Sequence, residues 1–389
     1  MQEIPIVLIG HKDHGKSTLI GRLVLDTKSI KESRYQEVKE VDESCGRQFE
    51  LAHLVDSFKE EREREMTMDT TRAFLKGKER NYQLIDVPGH AELIANMLTG
   101  ASNAKGAILL ASIQEGIEEQ TRQHLEIAKL LGILQLGVAI NKMDSIEFKQ
   151  SAFEEMKGQI EQILKEIGYN LEKIQFFPIS ARGGDNVVEK SSQTSWYTGP
   201  TIMEYLEREI AGLEDFSKLP FSFLIQDKYE EAGQEVLVGQ VQTGQVNIGQ
   251  EIIFLPQNQK LKIQEIRDSE GEIKKAEAGQ NIGLVVLNSL PVFRGSVGVL
   301  EPGQFLTSNK LAGEIFWIEK PSKADLILEC GTAQVSGILQ DLESAKEGTK
   351  TNYNIFLEKP VVFDSSGKTI LGKIVLKNKG KIIAVGNIL

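Results

Sequence analysis

The chain has 389 residues, more than one ordinary hydrophobic core holds, so two or three domains are expected. With 40% hydrophobic and 26% charged residues it reads as globular, and its net charge of −11 argues against a general nucleic-acid binder while leaving room for a local basic patch. Cys45 and Cys330 lie far apart with no metal or redox spacing, no apolar run reaches the ~20 residues of a membrane span, and the opening MQEIPIVLIG has no basic leader, so a cytoplasmic chain with free thiols and no membrane contact is expected.

In chain order, IPIVLIG (Ile4–Gly10) reads as a buried strand and TLIGRLVLD as the helix after it. FKEEREREM reads as a charged surface helix, and DTTRAFLKG as an antiparallel edge strand joined by a short hairpin to YQLIDV (Tyr82–Val87). AILLASI (Ala107–Ile113), LGVAIN (Leu136–Asn141) and IQFFPIS (Ile174–Ser180) are further buried strands. The stretches Glu118–Gly132 and Phe153–Gly168 between them have helical spacing. This alternation predicts an α/β domain with a mostly parallel, doubly wound sheet over residues 1–214. Past Leu219-Pro220 the runs become short, alternating and broken by Gly, Asn and Asp, which predicts all-β barrels over 215–309 and, in a shortened form, 310–389.

GHKDHGKS (Gly10–Ser17) has the spacing G-x-x-x-x-G-K-S between a strand and a helix, the context of a phosphate-binding loop. Backbone N–H groups from Gly10 through Asp13, His14 and Gly15 to Thr18 can cradle phosphate oxygens at the helix N-terminus. Lys16 would reach the β- and γ-phosphates, and the Ser17 hydroxyl would ligate Mg²⁺. DVPGH (Asp86–His90) ends the next parallel strand: Asp86 can hold Mg²⁺ through water, the Gly89 N–H can sense the γ-phosphate, and His90 is the candidate to orient an attacking water. NKMD (Asn141, Lys142, Asp144) ends another strand, and the Asp144 carboxylate can accept the N1–H and N2–H of guanine, a donor pair adenine lacks, so GTP is selected. Ser180, Ala181 and Arg182 end the last strand, where a backbone N–H can meet the guanine O6. In EREREMTMD, Thr67 can add a second hydroxyl to Mg²⁺ in a segment ordered by the γ-phosphate. His11 and His14 have no evident metal partners in the sequence, and His53 and His124 read as helix-surface residues.

On these motifs, with NMLTGAS and SARGGDNV, the chain resembles the translation-factor class of GTPases typified by elongation factor Tu and its archaeal and eukaryotic counterpart. The resemblance implies GTP hydrolysis and a nucleotide-binding domain followed by two barrels. LVLDTKSI, LAHLVDSFKEERE, EEQTRQHLEIAKLLGI, the run from Gly184 to Glu207, and FWIEKP with ECGTAQV look most like one branch, the large GTPase subunit of ATP sulfurylase. That branch implies a protein partner, a small adenylyltransferase subunit, with GTP hydrolysis driving sulfate activation. The alternatives are delivery of aminoacyl-tRNA to the ribosome and a GTP-gated scaffold. The family usually has Val at the position of Lys12 and Ile at Met66, an apolar gate before the catalytic His, and Gly at Glu65. The sulfurylase branch usually has D-D-G-K-S where this chain has D-H-G-K-S. For a tRNA carrier, KTILGKIVLKNKGK offers Lys368, Lys373, Lys377, Lys379 and Lys381, though such alternation also protects a sheet edge.

Overall fold

The computed structural model describes residues 3–44, 50–55, 71–78, 80–86, 106–133, 135–210, 216–231, 233–286, 291–321, 325–340 and 345–389. The chain divides between Leu213 and Glu214 into two compact units. The sheet of the first unit is built from β1 (Glu3–Ile9), β2 (Thr71–Lys76), β3 (Asn81–Asp86), β4 (Gly106–Ser112), β5 (Leu136–Asn141) and β6 (Gln175–Pro178). Their order is β2-β3-β1-β4-β5-β6. β2 runs antiparallel to β3 at the edge and the other pairings are parallel, as the sequence predicts.

The near-continuous apolar runs follow from burial on both faces of a parallel sheet: Ile6, Val7 and Leu8 of β1 are all fully buried. The helices are α1 (Lys16–Asp26), α2 (Glu32–Ser44), α3 (Glu119–Leu130), α4 (Gln150–Ile167) and the short α5 (Ile202–Tyr205). α1 buries Leu19, Ile20 and Leu23 in the same core as Ile6, Leu8 and Leu110. Each such side chain contributes about 1.5–3 kcal/mol. α4 buries Phe153, Met156, Ile160 and Leu164, one stripe at three- and four-residue spacing, and stops at Gly168 in the left-handed conformation.

Twelve of the second unit's strands build its two barrels. In the first, β7 (Ser222–Glu231), β8 (Gln234–Thr243), β10 (Glu251–Leu255), β11 (Gln259–Asp268), β14 (Asn281–Val286) and β15 (Val297–Val299) form one sheet that closes through β10 and β11. β12 (Gly271–Ile273) extends it, and β9 (Gln245–Asn247) pairs with β13 (Lys275–Glu277) beside it. Phe221, Phe223, Leu237, Val241, Phe254 and Ile263 fill its interior. The second barrel closes in the order β16 (Phe305–Trp317), β19 (Lys350–Asp364), β18 (Ala333–Gln340), β17 (Asp325–Cys330), β20 (Lys373–Asn378) and β21 (Lys381–Asn387). β16 continues past residues 309 and 310, with a bulge in its pairing to β19 between Ser308 and Lys310. It follows a turn at Pro302-Gly303, where the Phe305 N–H donates to Pro302 O. That barrel is short in sequence yet complete, with six strands in its ring.

Closure also removes one reading of the lysine alternation. β20 is paired on both sides, to β17 and β21, so it has no edge to protect. Lys377 Nζ lies 2.7 Å from Glu329 Oε1. Lys373 is half-buried, and that burial lowers its pKa while Asp364 opposes the shift. Lys368, Lys379 and Lys381 are the exposed members of the set.

Candidate functional site

β1 sits where the strand order reverses, with β3 on one side and β4 on the other. In an open α/β sheet the crevice at such a point, at the carboxyl ends of the strands, is where ligands bind. The loop from Gly10 to Gly15 leaves β1 there and crosses the backbone of β4. A Cβ at Gly10, with φ +145°, would lie 2.4 Å from the Leu110 carbonyl oxygen, which only glycine avoids. Gly15, at φ +92°, hands the chain to α1, and its own Cβ would meet Asn141 Nδ2 at 2.5 Å.

The Lys16 side chain folds back over the loop and donates to Gly10 O (2.9 Å) and His11 O (3.0 Å). Burial pulls its pKa down, and the carboxylates of Asp86 and Asp13 oppose the shift. Ser17 Oγ donates to Asp86 Oδ2 at 3.1 Å. Asp86 is buried, and among the described residues its Oδ1 has no hydrogen-bond partner. A hydroxyl beside an unpartnered carboxylate oxygen is a hard-oxygen donor pair of the kind Mg²⁺ takes, so these residues fit that ion.

On the other side of the crevice, β5 delivers Asn141 as a buried bridge. Its Nδ2 donates to His14 O (2.9 Å), and its Oδ1 accepts from the Ala181 N–H (2.9 Å). One amide thus ties the loop after β1 to the loop after β6. Lys142, in the left-handed region at φ +64°, places Nζ 2.6 Å from Glu115 Oε1. That hydrogen bond holds the Glu115 carboxyl below its usual range. Asp144 stands exposed on the 3-10 turn Met143–Ile146. The Ser180–Arg182 loop is braced by the Gly183 N–H donating to Ser180 Oγ (3.0 Å) and by Arg22 of α1, which donates to Ala181 O (3.3 Å) and to Arg182 O.

These loops surround a cleft of about 720 Å³. Of the residues singled out from sequence, Asp13, Gly15, Thr18, Asn141, Lys142, Asp144, Ala181 and Arg182 line it. Gly10, His14 and Ser180 belong to the same loops, and Lys16 and Ser17 to the first turn of α1, without lining the cleft, and Asp86 meets Ser17 at the end of β3. Thr67, Gly89 and His90 lie outside the described residues, as do Glu65 and Met66 of the gate comparison.

Three histidine readings change. His11 and His14 have acidic neighbours that spacing conceals: His11 Nε2 is 3.0 Å from Glu118 Oε2, and His14 Nε2 is 3.4 Å from Glu115 Oε2. His124 is buried, not on the surface, because it falls on the inner stripe of α3 with Leu125 and Ala128. His53 is half-buried, with Nδ1 2.7 Å from Asp42 Oδ2. Sequence reading also missed Arg22, Tyr35, Glu50 and Gln114, which line the cleft. Position immediately after β4, at the carboxyl edge of the sheet, was the available signal for Gln114 and Glu115.

The family model described as "Elongation factor Tu GTP binding domain" matches residues 2–214. Elongation factor 1-alpha of Methanopyrus kandleri is 34% identical over 419 residues, covering 99% of this chain and 97% of that protein. Elongation factor 1-alpha of Methanocaldococcus jannaschii is 33% identical over 410 residues, covering 98% and 96%. The Archaeoglobus fulgidus protein of the same name is 38% identical over 300 residues, covering 76% and 71%. A crystal structure of sup35 complexed with GDP aligns over 100% of this chain and 94% of that one, at 24% identity and a TM-score of 0.43. These relatives do not carry the resemblance to the sulfurylase subunit, which rests on the sequence segments alone.

Proposed function

The chain belongs to the elongation factor Tu/elongation factor 1-alpha family of GTPases, and from that premise we propose that it is a GTP-hydrolysing switch whose nucleotide sits in the cleft between the Gly10–Gly15 loop and the Asn141–Ser145 loop. The observation that carries this reading is the pair formed by Ser17 Oγ and Asp86, with Asp86 Oδ1 buried and unpartnered beside a lysine held over the phosphate loop. In it, Lys16 exchanges loop carbonyls for phosphate oxygens, and the N–H groups of Asp13 to Thr18 bind the phosphates. Ser17 and Asp86 hold Mg²⁺, which when bound offsets the phosphate charge. Asp144 accepts the two guanine donors, and the Ser180–Arg182 loop closes the base side, while Asn141 keeps the two walls in register. His90 orienting water and Thr67 reporting the γ-phosphate complete the proposal.

The elongation-factor relatives favour a translation role, with aminoacyl-tRNA and the ribosome as partners, over sulfate activation with a small adenylyltransferase subunit. The test is recovery of bound molecules from native cells with the full chain held in a non-hydrolysable GTP analogue. The expected result is charged tRNA that is released when GDP replaces the analogue. A co-purifying nucleotidyltransferase with sulfate-dependent pyrophosphate release from ATP would overturn the translation role. Failure to bind guanine nucleotides at all would overturn the switch itself.

A further inference from the structure

We propose that His11, His14, Glu115 and Glu118 form a binding site for a divalent transition-metal ion of the zinc class, separate from the Ser17–Asp86 pair. The parallel pairing of β1 with β4 brings the four together: the loop after β1 carries both histidines, and the loop after β4 carries both glutamates. One ligand atom from each lies within 4.8 Å of those of the other three.

His14 gives the strongest indication. It is fully buried, and its Nδ1 lies 3.1 Å from the Leu110 carbonyl oxygen. A carbonyl only accepts, so Nδ1 carries the proton, and in the neutral ring the lone pair is left on Nε2. That Nε2 is buried, has no hydrogen-bond partner among the described residues, and stands 3.4 Å from Glu115 Oε2. A lone pair turned toward a carboxylate oxygen is repulsive unless a cation lies between them. A second proton on the ring is the other way to relieve it, but burial acts against that form and lowers the His14 pKa.

The geometry suits a small ion. Bonds of about 2.0–2.1 Å from a tetrahedral ion to nitrogen and oxygen place neighbouring ligand atoms about 3.3 Å apart. The His14–Glu115 and His11–Glu118 separations, 3.4 and 3.0 Å, are already close to that edge. The longer separations close by rotation of the glutamates, Glu115 exposed and Glu118 half-buried. Partners outside the four are in place as well: Leu110 O fixes the His14 ring, and Lys142 holds the second oxygen of Glu115. Glu118 occupies the N-cap position of α3 without a side-chain cap bond, its carboxylate turned toward His11 instead. Two imidazoles with two carboxylates favour Zn²⁺ over Mg²⁺, which prefers oxygen alone.

The test uses the full chain, stripped with a chelator and then saturated with GDP and excess Mg²⁺ so that the nucleotide metal is supplied. Co²⁺ is titrated in as the spectroscopic probe, followed by Zn²⁺. The expected result is one equivalent of Co²⁺ with the intense visible absorption of a tetrahedral site, displaced by Zn²⁺ and not by Mg²⁺. Glu118→Gln and His11→Gln, both at half-exposed positions, should each weaken Co²⁺ binding at least about tenfold. No saturable absorption in the wild-type chain would overturn the proposal and leave two ordinary His–Glu ion pairs. Absorption that persists unchanged in both variants would overturn it equally.

Discussion

Asp86 and Asp364 are both buried aspartates at the end of a strand, one in each unit, and their surroundings are opposite. Asp364 is fully used by its own turn: Oδ1 accepts from the Ser366 N–H (2.8 Å) and Oγ (2.7 Å), and Oδ2 from the Thr369 N–H (3.1 Å). Asp86 meets Ser17 through one oxygen, and among the described residues the other has no partner. Burying a carboxylate oxygen without a partner is costly, so a fold keeps one only where something else compensates. Satisfied burial marks structure, and unsatisfied burial marks the place a ligand completes.

The sharpest way to break this contrast is to remove each carboxylate in turn. Asp86→Ala should lower Mg²⁺-dependent GTP affinity at least about a hundredfold while changing the stability of the nucleotide-free chain by no more than about 1 kcal/mol. Asp364→Ala should do the reverse, costing about 3 kcal/mol of stability by stranding two N–H donors and leaving GTP affinity as it was. Fluorescent-nucleotide titration and denaturant unfolding read the two effects. Equal destabilisation by both variants would mean that the free oxygen of Asp86 has no special role.

Asp144 and Asn141 separate contact from support within one motif. Asp144 is exposed, so Asp144→Asn should leave stability unchanged, cut GTP affinity about a hundredfold, and improve binding of xanthosine triphosphate, whose C2 oxygen accepts from the new amide. Asn141→Ala removes two buried bonds and leaves the Ala181 N–H unpaired. It should cost about 2–3 kcal/mol of stability and speed GDP release about tenfold without changing the base preferred. Competition among GTP, ATP and xanthosine triphosphate tells the two apart, and a changed preference in Asn141→Ala would show that this side chain reads the base.

The two regions were also unequally legible. The first sheet and the phosphate loop can be read directly, because a strand buried on both faces needs an unbroken apolar run and a loop crossing β4 needs glycine at position 10. Glu115 and Glu118 cannot: carboxylates there suit the start of a helix, and only the sheet order brings them beside His11 and His14. His124 was misjudged because an inward stripe of a helix tolerates an occasional polar ring that spacing does not reveal. In the barrels, short alternating runs announce strands but not closure, so the lysines of β20 resembled an edge until both neighbours of that strand were known.

Those lysines give the smallest expected effect. As five alternating cations they would make a phosphate-binding stripe, but Lys377 is paired with Glu329 and Lys373 is half-buried with its charge coupled to Asp364. Lys379 and Lys381 remain exposed at the hairpin between β20 and β21. If this face touches RNA, the double variant Lys379→Ala, Lys381→Ala should reduce the salt dependence of binding by about two phosphate contacts, with no loss of fold. Lys373→Ala should act mainly on stability instead, since Lys373 is half-buried and its charge is coupled to the buried Asp364. The slope of affinity against salt for the two variants measures this directly. A slope changed by Lys373→Ala and untouched by the double variant would overturn the assignment of the contact to the β20–β21 hairpin.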